Sequence, residues 1–277
     1  MFVVIAAEER PEGESLPARL WRRMSAGRVR AEEKSFRGCS YWLLTIRDPR
    51  HPPYKKLRAM AGRAAGKVVA GRGILLPPGC GLTAYRPALF QARVAVAAAA
   101  QVLEALGPGK AQVAGVSDPQ GLHPWCCRRL LEQCGLLRVY TQRPQRYEAE
   151  AERLMEETGA LVLLTDDPGT LSSCVLCVAL SGDETEIRVP APVLAAEGIR
   201  AKGRPTAAGL ELAAWEEEED WLPPGVDPGL FLGAAMELSA RPPAAELRVG
   251  ACRIDGRAAP LEDLVLFIGQ RLRKGSG

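Results

Sequence analysis

No hydrophobic segment in this sequence approaches the roughly 18 to 20 apolar residues that are needed to span a bilayer. The apolar segment at residues 2–7 is short, and no basic segment precedes it. It therefore predicts a first β-strand rather than a signal peptide. From these two absences we expect no membrane partner.

Catalytic signatures are also missing. The sequence contains no G-x-S-x-G, no Walker motif and no H-E-x-x-H. This excludes the nucleophile elbow, the phosphate-binding loop and the zinc helix that those patterns encode. Histidine is limited to His51 and His123, and each is followed by proline. We therefore assign no catalytic residue and no metal ligand, and whether the protein is an enzyme stays open.

The cysteines do not form a disulfide framework. The chain has 277 residues and eight cysteines, whereas such frameworks belong to small secreted domains. Cys174 and Cys177 form a lone C-x-x-C motif within a β pattern, where positions three apart face opposite sides of a sheet. Zinc needs two further ligands, for which the candidates are His123 and the cysteines near it. We expect instead reduced thiols in a bacterial-type cytoplasm, packed as small core residues.

Aromatic side chains do not interleave with the basic residues, so the sequence has no platform on which nucleic-acid bases stack. Basic residues outnumber acidic ones in residues 1–82, and acidic residues prevail in residues 145–277. This pattern fits a polyanionic partner. It also fits two oppositely charged halves that either face each other or are simply solvated. We favour the second, including a homodimer through these halves. Five consecutive acids at residues 216–220 predict either an anchored exposed loop or a docking segment for a basic partner.

Residues 1–82 predict a small β-α-β-β-α-β lobe. The predicted elements are a strand at residues 2–6, a helix from Ser15, a hairpin about residues 37–39, a helix with apolar positions from 57 to 69, and a strand at 73–77. This order suits a ferredoxin-like or split βαβ arrangement, and a three-layer lobe gives the same pattern.

A stretch rich in proline and glycine at residues 76–87 marks the boundary with a second domain, residues 83–277. That domain opens with a helix at residues 87–106, which is apolar around most of its circumference and is predicted to lie buried between the lobes. Apolar strands then alternate with helices up to residue 180, which indicates parallel βαβ units. The fold class is therefore α/β: a small lobe, then a Rossmann-like parallel-sheet domain with a C-terminal extension.

The turn after the first Rossmann-like strand lacks the G-x-G-x-x-G fingerprint of dinucleotide-binding proteins. Gly115 lies inside the strand, and Gly121 is the one glycine in the turn. Asp118 stands where a pyrophosphate would approach, and its carboxylate repels a phosphate. Pro119 also removes an amide donor. The sequence therefore leaves the cofactor unknown.

The second strand of this domain ends with Thr141 and Arg143. Residues 87–180 resemble shikimate dehydrogenase and the cofactor domain of glutamyl-tRNA reductase, both in Thr141 and Arg143 and in the order of their strands. In those families a small polar residue and an arginine hold an adenosine 2′-phosphate. The resemblance implies an NADP-dependent oxidoreductase with Thr141 and Arg143 at the cofactor.

Polar residues followed by proline end three of the predicted strands. Because the carboxyl ends of parallel strands share one edge of an open sheet, where ligands bind, we expect a ligand site at that edge. The predicted ligand-binding residues are Asp118, Gly121, His123, Thr141, Arg143 and Asp166. Clustered acids there would suit Mg²⁺, a sugar or an amine, whereas turns in which Asp caps its own backbone give the same pattern. His123 is either a general base at this edge or a packed residue beside Trp125.

Two classes of function remain. The first is a cytoplasmic small-molecule-binding or regulatory protein, built on a Rossmann-like sheet that lacks the G-x-G-x-x-G fingerprint. The second is an NADP-dependent oxidoreductase with a shikimate-dehydrogenase-like layout. They differ at Asp118 and Arg143, because the enzyme must tolerate a pyrophosphate beside the first and use the second. The sequence favours the first class.

Overall fold

The structure is a computed structural model that describes residues 1–8, 27–107, 109–182, 187–189, 191–213, 222–239 and 247–275. Its helices are α1 (Tyr54–Ala61), α2 (Ala88–Ala105), α3 (Cys126–Leu131), α4 (Glu148–Thr158), α5 (Pro228–Leu238) and α6 (Leu261–Gly275). Its strands are β1 (Val3–Ala7), β2 (Val29–Phe36), β3 (Cys39–Ile46), β4 (Val68–Ala70), β5 (Gly109–Ser117), β6 (Cys134–Tyr140), β7 (Leu161–Thr165), β8 (Leu176–Ala179), β9 (Ile187–Arg188), β10 (Val193–Ala195), β11 (Ala201–Lys202), β12 (Thr206–Leu212), β13 (Val249–Ile254) and β14 (Arg257–Pro260).

The chain divides into two compact units. The first unit combines Met1–Phe90 with Trp215–Ala245, and the second combines Gln91–Ala214 with Glu246–Gly277. Each unit has its own main sheet. The sequence placed residues 215–245 in the second domain, and the reason for the difference is the packing of α5. Its Phe231 makes edge-to-face contacts with Phe2 and Tyr41, at ring-centroid distances of 5.9 and 5.1 Å.

The sheet of the first unit has the order β2-β3-β1-β4. Strand β1 runs parallel to both β3 and β4, and β2 pairs antiparallel with β3 through the predicted hairpin. The hairpin turns at Arg37 and Gly38, which both have positive φ. Because β4 is parallel to β1, the lobe differs from a ferredoxin-like sheet, in which the last strand is antiparallel to the first. The helix predicted from Ser15 lies outside the described residues.

The end of this lobe corrects the sequence interpretation. Helix α1 stops at Ala61, and Val68 and Val69, which were assigned to its apolar face, lie buried in β4. Gly62 with φ 52° ends the helix, and the two β-branched valines favour a strand. Residues 73–77, predicted as the strand, follow β4 without regular structure.

Helix α2 confirms the predicted long apolar helix and its burial, with Phe90, Ala95 and Val102 fully buried. The sequence interpretation missed one property. By length and composition alone this helix is long and apolar enough to cross a membrane. More than half of that stretch, 56 %, is buried inside the protein, and the core helix of a soluble protein passes the same test.

The second unit contains an eight-stranded sheet with the order β14-β13-β12-β10-β8-β5-β6-β7. The six strands from β7 to β12 are parallel, and β13 and β14 add an antiparallel edge. Numbered along the chain, the parallel strands follow 3-2-1-4-5-6, which is the Rossmann order. This confirms the Rossmann-like fold, and it places the reversal of strand order between β5 and β8.

The two halves of this sheet are connected differently. Helices α3 and α4 link β5, β6 and β7, as the alternating pattern predicted. From β8 to β12 the described connecting residues contain no helix, and β9 and β11 form a small parallel pair instead. The C-terminal hairpin turns at Asp255 and Gly256, which both have positive φ, and α6 follows it.

A pair of leucines tests the packing of the first unit. Leu57 of α1 is 0 % exposed and Leu75 is 77 % exposed. We expect Leu57→Ala to lower the free energy of unfolding by about 2–5 kcal/mol, because it removes buried methyl groups and leaves a cavity. Leu75→Ala deletes the same atoms from the surface and should change it by no more than about 0.5 kcal/mol. Chemical denaturation measures both, and equal effects would contradict the described core.

Candidate functional site

The turn that follows β5 is organised around a buried carboxylate. Asp118 is 0 % exposed. Its Oδ2 accepts hydrogen bonds from the backbone amide of His123 (2.8 Å) and from the hydroxyl of Tyr147 (2.7 Å). Its Oδ1 accepts one from the hydroxyl of Ser181. A single side chain thus ties together the turn after β5, the start of α4 and the loop after β8.

Other polar groups of the turn are also engaged within the protein. The amide of Gln120 donates to Ser181 Oγ (3.2 Å), and the amide of Gly121 donates to the carbonyl of Asp118 (2.9 Å). In a dinucleotide-binding turn such amides point at the pyrophosphate. Helix α3 has only six residues, so its start provides too few aligned peptides for an anion site. The turn is therefore closed on itself.

Two arginines lie beside this turn. Gly121 has φ 63°, and a Cβ added there would lie 3.1 Å from both Arg143 Cβ and Arg146 Cδ. The guanidinium of Arg146 donates to the carbonyl of Gln120 (3.3 Å). Both arginines are exposed to solvent. The outer surface of the turn therefore carries positive charge, although its interior holds the carboxylate of Asp118.

Thr141 and Arg143 form a local turn at the end of β6. Thr141 is buried, and its Oγ1 accepts a hydrogen bond from the amide of Arg143 (3.1 Å). Its own amide donates to the carbonyl of Thr165 (2.9 Å), which ends β7. The threonine thus fixes the backbone, and the arginine side chain extends into solvent.

The acidic residues after β7 are exposed and separate from Asp118. Asp167 Oδ1 accepts from the amide of Gly169 (2.8 Å) and caps the short 3₁₀ helix Pro168–Ser173, which is the turn chemistry considered above. Asp166 lies in the same exposed loop. Because β6 separates β5 from β7, the two loops start about 10 Å apart. In the described part of the chain, no three His, Cys, Asp or Glu residues are grouped to hold a metal ion.

His123 lies against the core rather than on the surface. It is 6 % exposed, and its ring contacts Trp125 edge to face with centroids 5.9 Å apart. Among the described residues its Nδ1 has no hydrogen-bond partner. Burial lowers the pKa of His123 below its ordinary value of 6.5, and the nearby charge of Asp118 opposes this effect. The imidazole is therefore neutral at pH 7.

A cavity of about 560 Å³ lies at the opposite, amino end of the strands. Cys134 and Gly135 at the start of β6 line it, together with Leu154, Thr158 and Gly159 around the end of α4. None of the six predicted ligand-binding residues lines this cavity. Binding at the carboxyl edge therefore stays a prediction.

Tyr147 and Ser181 are the residues of this site that sequence reasoning missed. Tyr147 is fully buried and Ser181 is 4 % exposed, and both donate to Asp118. Ser181 had a readable signal, because it is the polar residue directly after the apolar strand β8. Tyr147 had none, since an aromatic residue before a helix predicts packing and not a partner for a carboxylate 29 positions earlier.

Comparisons with known proteins give little beyond the fold. No family model and no curated protein matches the chain. A solved structure of Δ1-pyrroline-2-carboxylate reductase from Thermococcus litoralis, in complex with NADH and L-proline, is 12 % identical, with a TM-score of 0.30 over 64 % of this chain and 61 % of that one. L-tryptophan dehydrogenase from Nostoc punctiforme is 16 % identical, with a TM-score of 0.27 over 73 % and 62 %. The chain thus covers less than two thirds of either structure, and the assignment of the fold rests on the strand order described above.

The carboxylate of Asp118 should be essential for stability. Asp118→Ala leaves the buried hydroxyls of Tyr147 and Ser181 and one amide without an acceptor, at about 1–3 kcal/mol for each. We expect the free energy of unfolding to fall by at least about 3 kcal/mol, measured by chemical denaturation. The control is Asp166→Ala, which removes an exposed carboxylate and should cost no more than about 0.5 kcal/mol. A loss below about 1 kcal/mol in Asp118→Ala would contradict the described network.

The protonation of His123 provides a second test. The unfolded chain binds this proton near pH 6.5 and the folded protein binds it only at lower pH, because the buried ring resists charging. The free energy of unfolding should therefore be highest above pH 6.5 and should fall as the pH drops from 6.5 to the folded pKa. NMR titration of the imidazole in a His51→Gln variant, where His123 is the remaining histidine, measures this pKa. A value at or above 6.5 would contradict the buried position.

Proposed function

We propose that this protein is a small-molecule-binding or regulatory protein and that it does not use a nicotinamide dinucleotide. One observation carries the proposal: three backbone amides of the turn after β5 already have acceptors within the protein. The amides of Gln120, Gly121 and His123 donate to acceptors within the protein. A pyrophosphate would have to compete with these bonds, and opening the turn would leave the carboxylate of Asp118 without its donors.

The charge at the turn supports the same proposal. The buried carboxylate repels a phosphate that approaches the backbone, whereas the exposed guanidinium groups of Arg143 and Arg146 attract anions from outside. These positions suit a small anionic ligand, such as a carboxylate or a monophosphate, held by side chains at the carboxyl edge. The proposed site presents the exposed Arg143 to the ligand, with Gly121 and Thr141 buried beside it. His123, Asp118 and Asp166 complete the set of six, with Asp118 holding the turn in place.

A specific observation favours the alternative, an NADP-dependent oxidoreductase with a shikimate-dehydrogenase-like layout. The turn at the end of β6 is well ordered by its Thr141–Arg143 hydrogen bond, and the arginine extends into solvent. An arginine in this position is able to reach a 2′-phosphate without any contribution from the turn after β5.

The proposal includes a cytoplasmic location of the bacterial type. All eight cysteines are free and none forms a disulfide, which supports a reducing compartment. A homodimer through the basic and acidic halves stays a prediction, because the acidic segment at residues 216–220 lies outside the described residues.

Thermal-shift measurements, followed by calorimetry, distinguish the two functions. NADPH and NADH at millimolar concentration should leave the melting temperature unchanged, since ligand stabilisation follows RT ln(1 + [L]/Kd) and vanishes when Kd exceeds the concentration. Inorganic phosphate, a sugar phosphate or a dicarboxylate should raise it. Arg143→Ala should weaken that binding at least about tenfold, because it removes a charge-assisted hydrogen bond.

The matched control is Arg153→Ala, which removes an exposed arginine that is paired with Glu150 on α4. It should leave binding unchanged. A clear rise in melting temperature with NADPH that Arg143→Ala abolishes would establish the oxidoreductase instead. The absence of a shift with every anion tested would contradict the proposed site.

A further inference from the structure

The sulfurs of Cys174 and Cys177 lie on the same side of the sheet. Strand alternation predicts opposite sides for positions three apart. Cys174, however, precedes β8 and caps the end of the 3₁₀ helix Pro168–Ser173, so the alternation does not extend to it. Both cysteines belong to one core cluster with Leu171. The C-x-x-C motif therefore forms a true pair of neighbouring thiols.

Gly115 of β5 provides the space for this pair. A Cβ at position 115 would lie 2.6 Å from Cys177 Sγ and 3.1 Å from Cys174 Sγ, and real Cβ atoms essentially never approach another atom below 3.0 Å. The two sulfurs thus share the gap that the missing side chain leaves. Gly115 does not have a positive φ, so space rather than backbone freedom explains this glycine. The sequence interpretation had treated it only as a misplaced part of a nucleotide fingerprint.

The surroundings give the two thiols different reactivity. A hydrogen bond with Cys177, assisted by the charge of Arg138, lowers the pKa of Cys174 despite its burial. The same hydrogen bond and burial raise the pKa of Cys177 well above its ordinary value. Arg138 is held in place by its bond to the carbonyl of Thr170 (2.9 Å). Elsewhere burial raises the pKa of Cys134 to about 11. Cys174 is thus the member of the pair that is suited to act as a thiolate nucleophile.

A cavity of about 270 Å³ adjoins Cys174, which is itself 5 % exposed. Ser172, Ser173 and Cys174 form one side of it, and Ile268 and Arg271 of α6 line it too. Cys177 is 1 % exposed and is not part of the lining. The guanidinium of Arg271, which also donates to the carbonyl of Arg204 (3.0 Å), brings a positive charge to the lining, which suits a small molecule that carries carboxylates.

We propose that Cys174 and Cys177 form a dithiol site that reacts with small disulfides carrying carboxylates. The thiolate of Cys174 attacks one sulfur of the disulfide, forms a mixed disulfide and releases one thiolate. Cys177 then loses its proton to solvent and attacks the sulfur of Cys174, which releases the second half as a thiol. Two protein thiols become one disulfide, and one small disulfide is reduced to two thiols. This site is independent of the ligand proposed for the carboxyl edge.

The experiment uses the full, reduced chain and glutathione disulfide as the probe. After incubation the protein is denatured in an alkylating reagent, digested with trypsin and analysed by mass spectrometry. Residues 154–188 form a tryptic peptide that contains Cys174 and Cys177 and no other cysteine. An internal disulfide therefore appears as this single peptide, unalkylated and lighter by two hydrogens. We expect it to be the first oxidised product.

Variants separate the two roles. Cys177→Ser should accumulate the mixed disulfide with glutathione on Cys174, because the second attack is lost. Cys174→Ser should slow oxidation of this peptide at least about tenfold. Cys252→Ser, the control, removes a buried cysteine of β13 and should leave the reaction unchanged. The wild-type chain alone is enough to overturn the proposal. It does so if peptide 154–188 is recovered with both thiols alkylated, or if this peptide is linked to another cysteine.

Discussion

The candidate site depends on the hydrogen bonds that the buried carboxylate of Asp118 accepts. A charge removed from water is tolerated only where hydrogen-bond donors replace the solvent, and Asp118 receives three. Those donors come from the loop after β5, from the residue before α4 and from the loop after β8. They hold the two sides of the strand-order reversal together, at the point where open α/β sheets usually admit a ligand. One side chain therefore ties three segments together at this edge of the sheet.

The Rossmann-like fold and nucleotide binding place different demands on the chain. The fold needs parallel strands and apolar faces, which β5, β6 and β8 provide. Nucleotide binding needs free amides at the first turn, and here the amides of Gln120 and His123 are bonded within the protein. Because the two requirements fall on different atoms, a chain is able to keep the first and lose the second.

The sequence predicted the parallel sheet because its strands are apolar and alternate with helices, a signal that depends only on local composition. The prediction was wrong at Val68 and Val69, because the helical spacing of apolar residues continues past Gly62. Only the pairing of these valines with β1 shows that they form a strand. The six predicted site residues follow strands at the carboxyl edge of the sheet, and burial separates them: Asp118 and His123 are buried while Arg143 is exposed. Tertiary hydrogen bonds across 29 and 63 positions decide that separation, and no local pattern encodes them.

The absence of helices in the described connections from β8 to β12 has a consequence for the order of folding. A parallel sheet must be covered on both faces, and the crossover helices usually arrive with each strand. Here α6, the last helix of the chain, buries Leu261, Leu264 and Ile268 beside β13 and β14. During synthesis β8, β10 and β12 leave the ribosome before β13, β14 and α6 do. The antiparallel edge and α6 are therefore added to parallel strands that were made without crossover helices in the described connections.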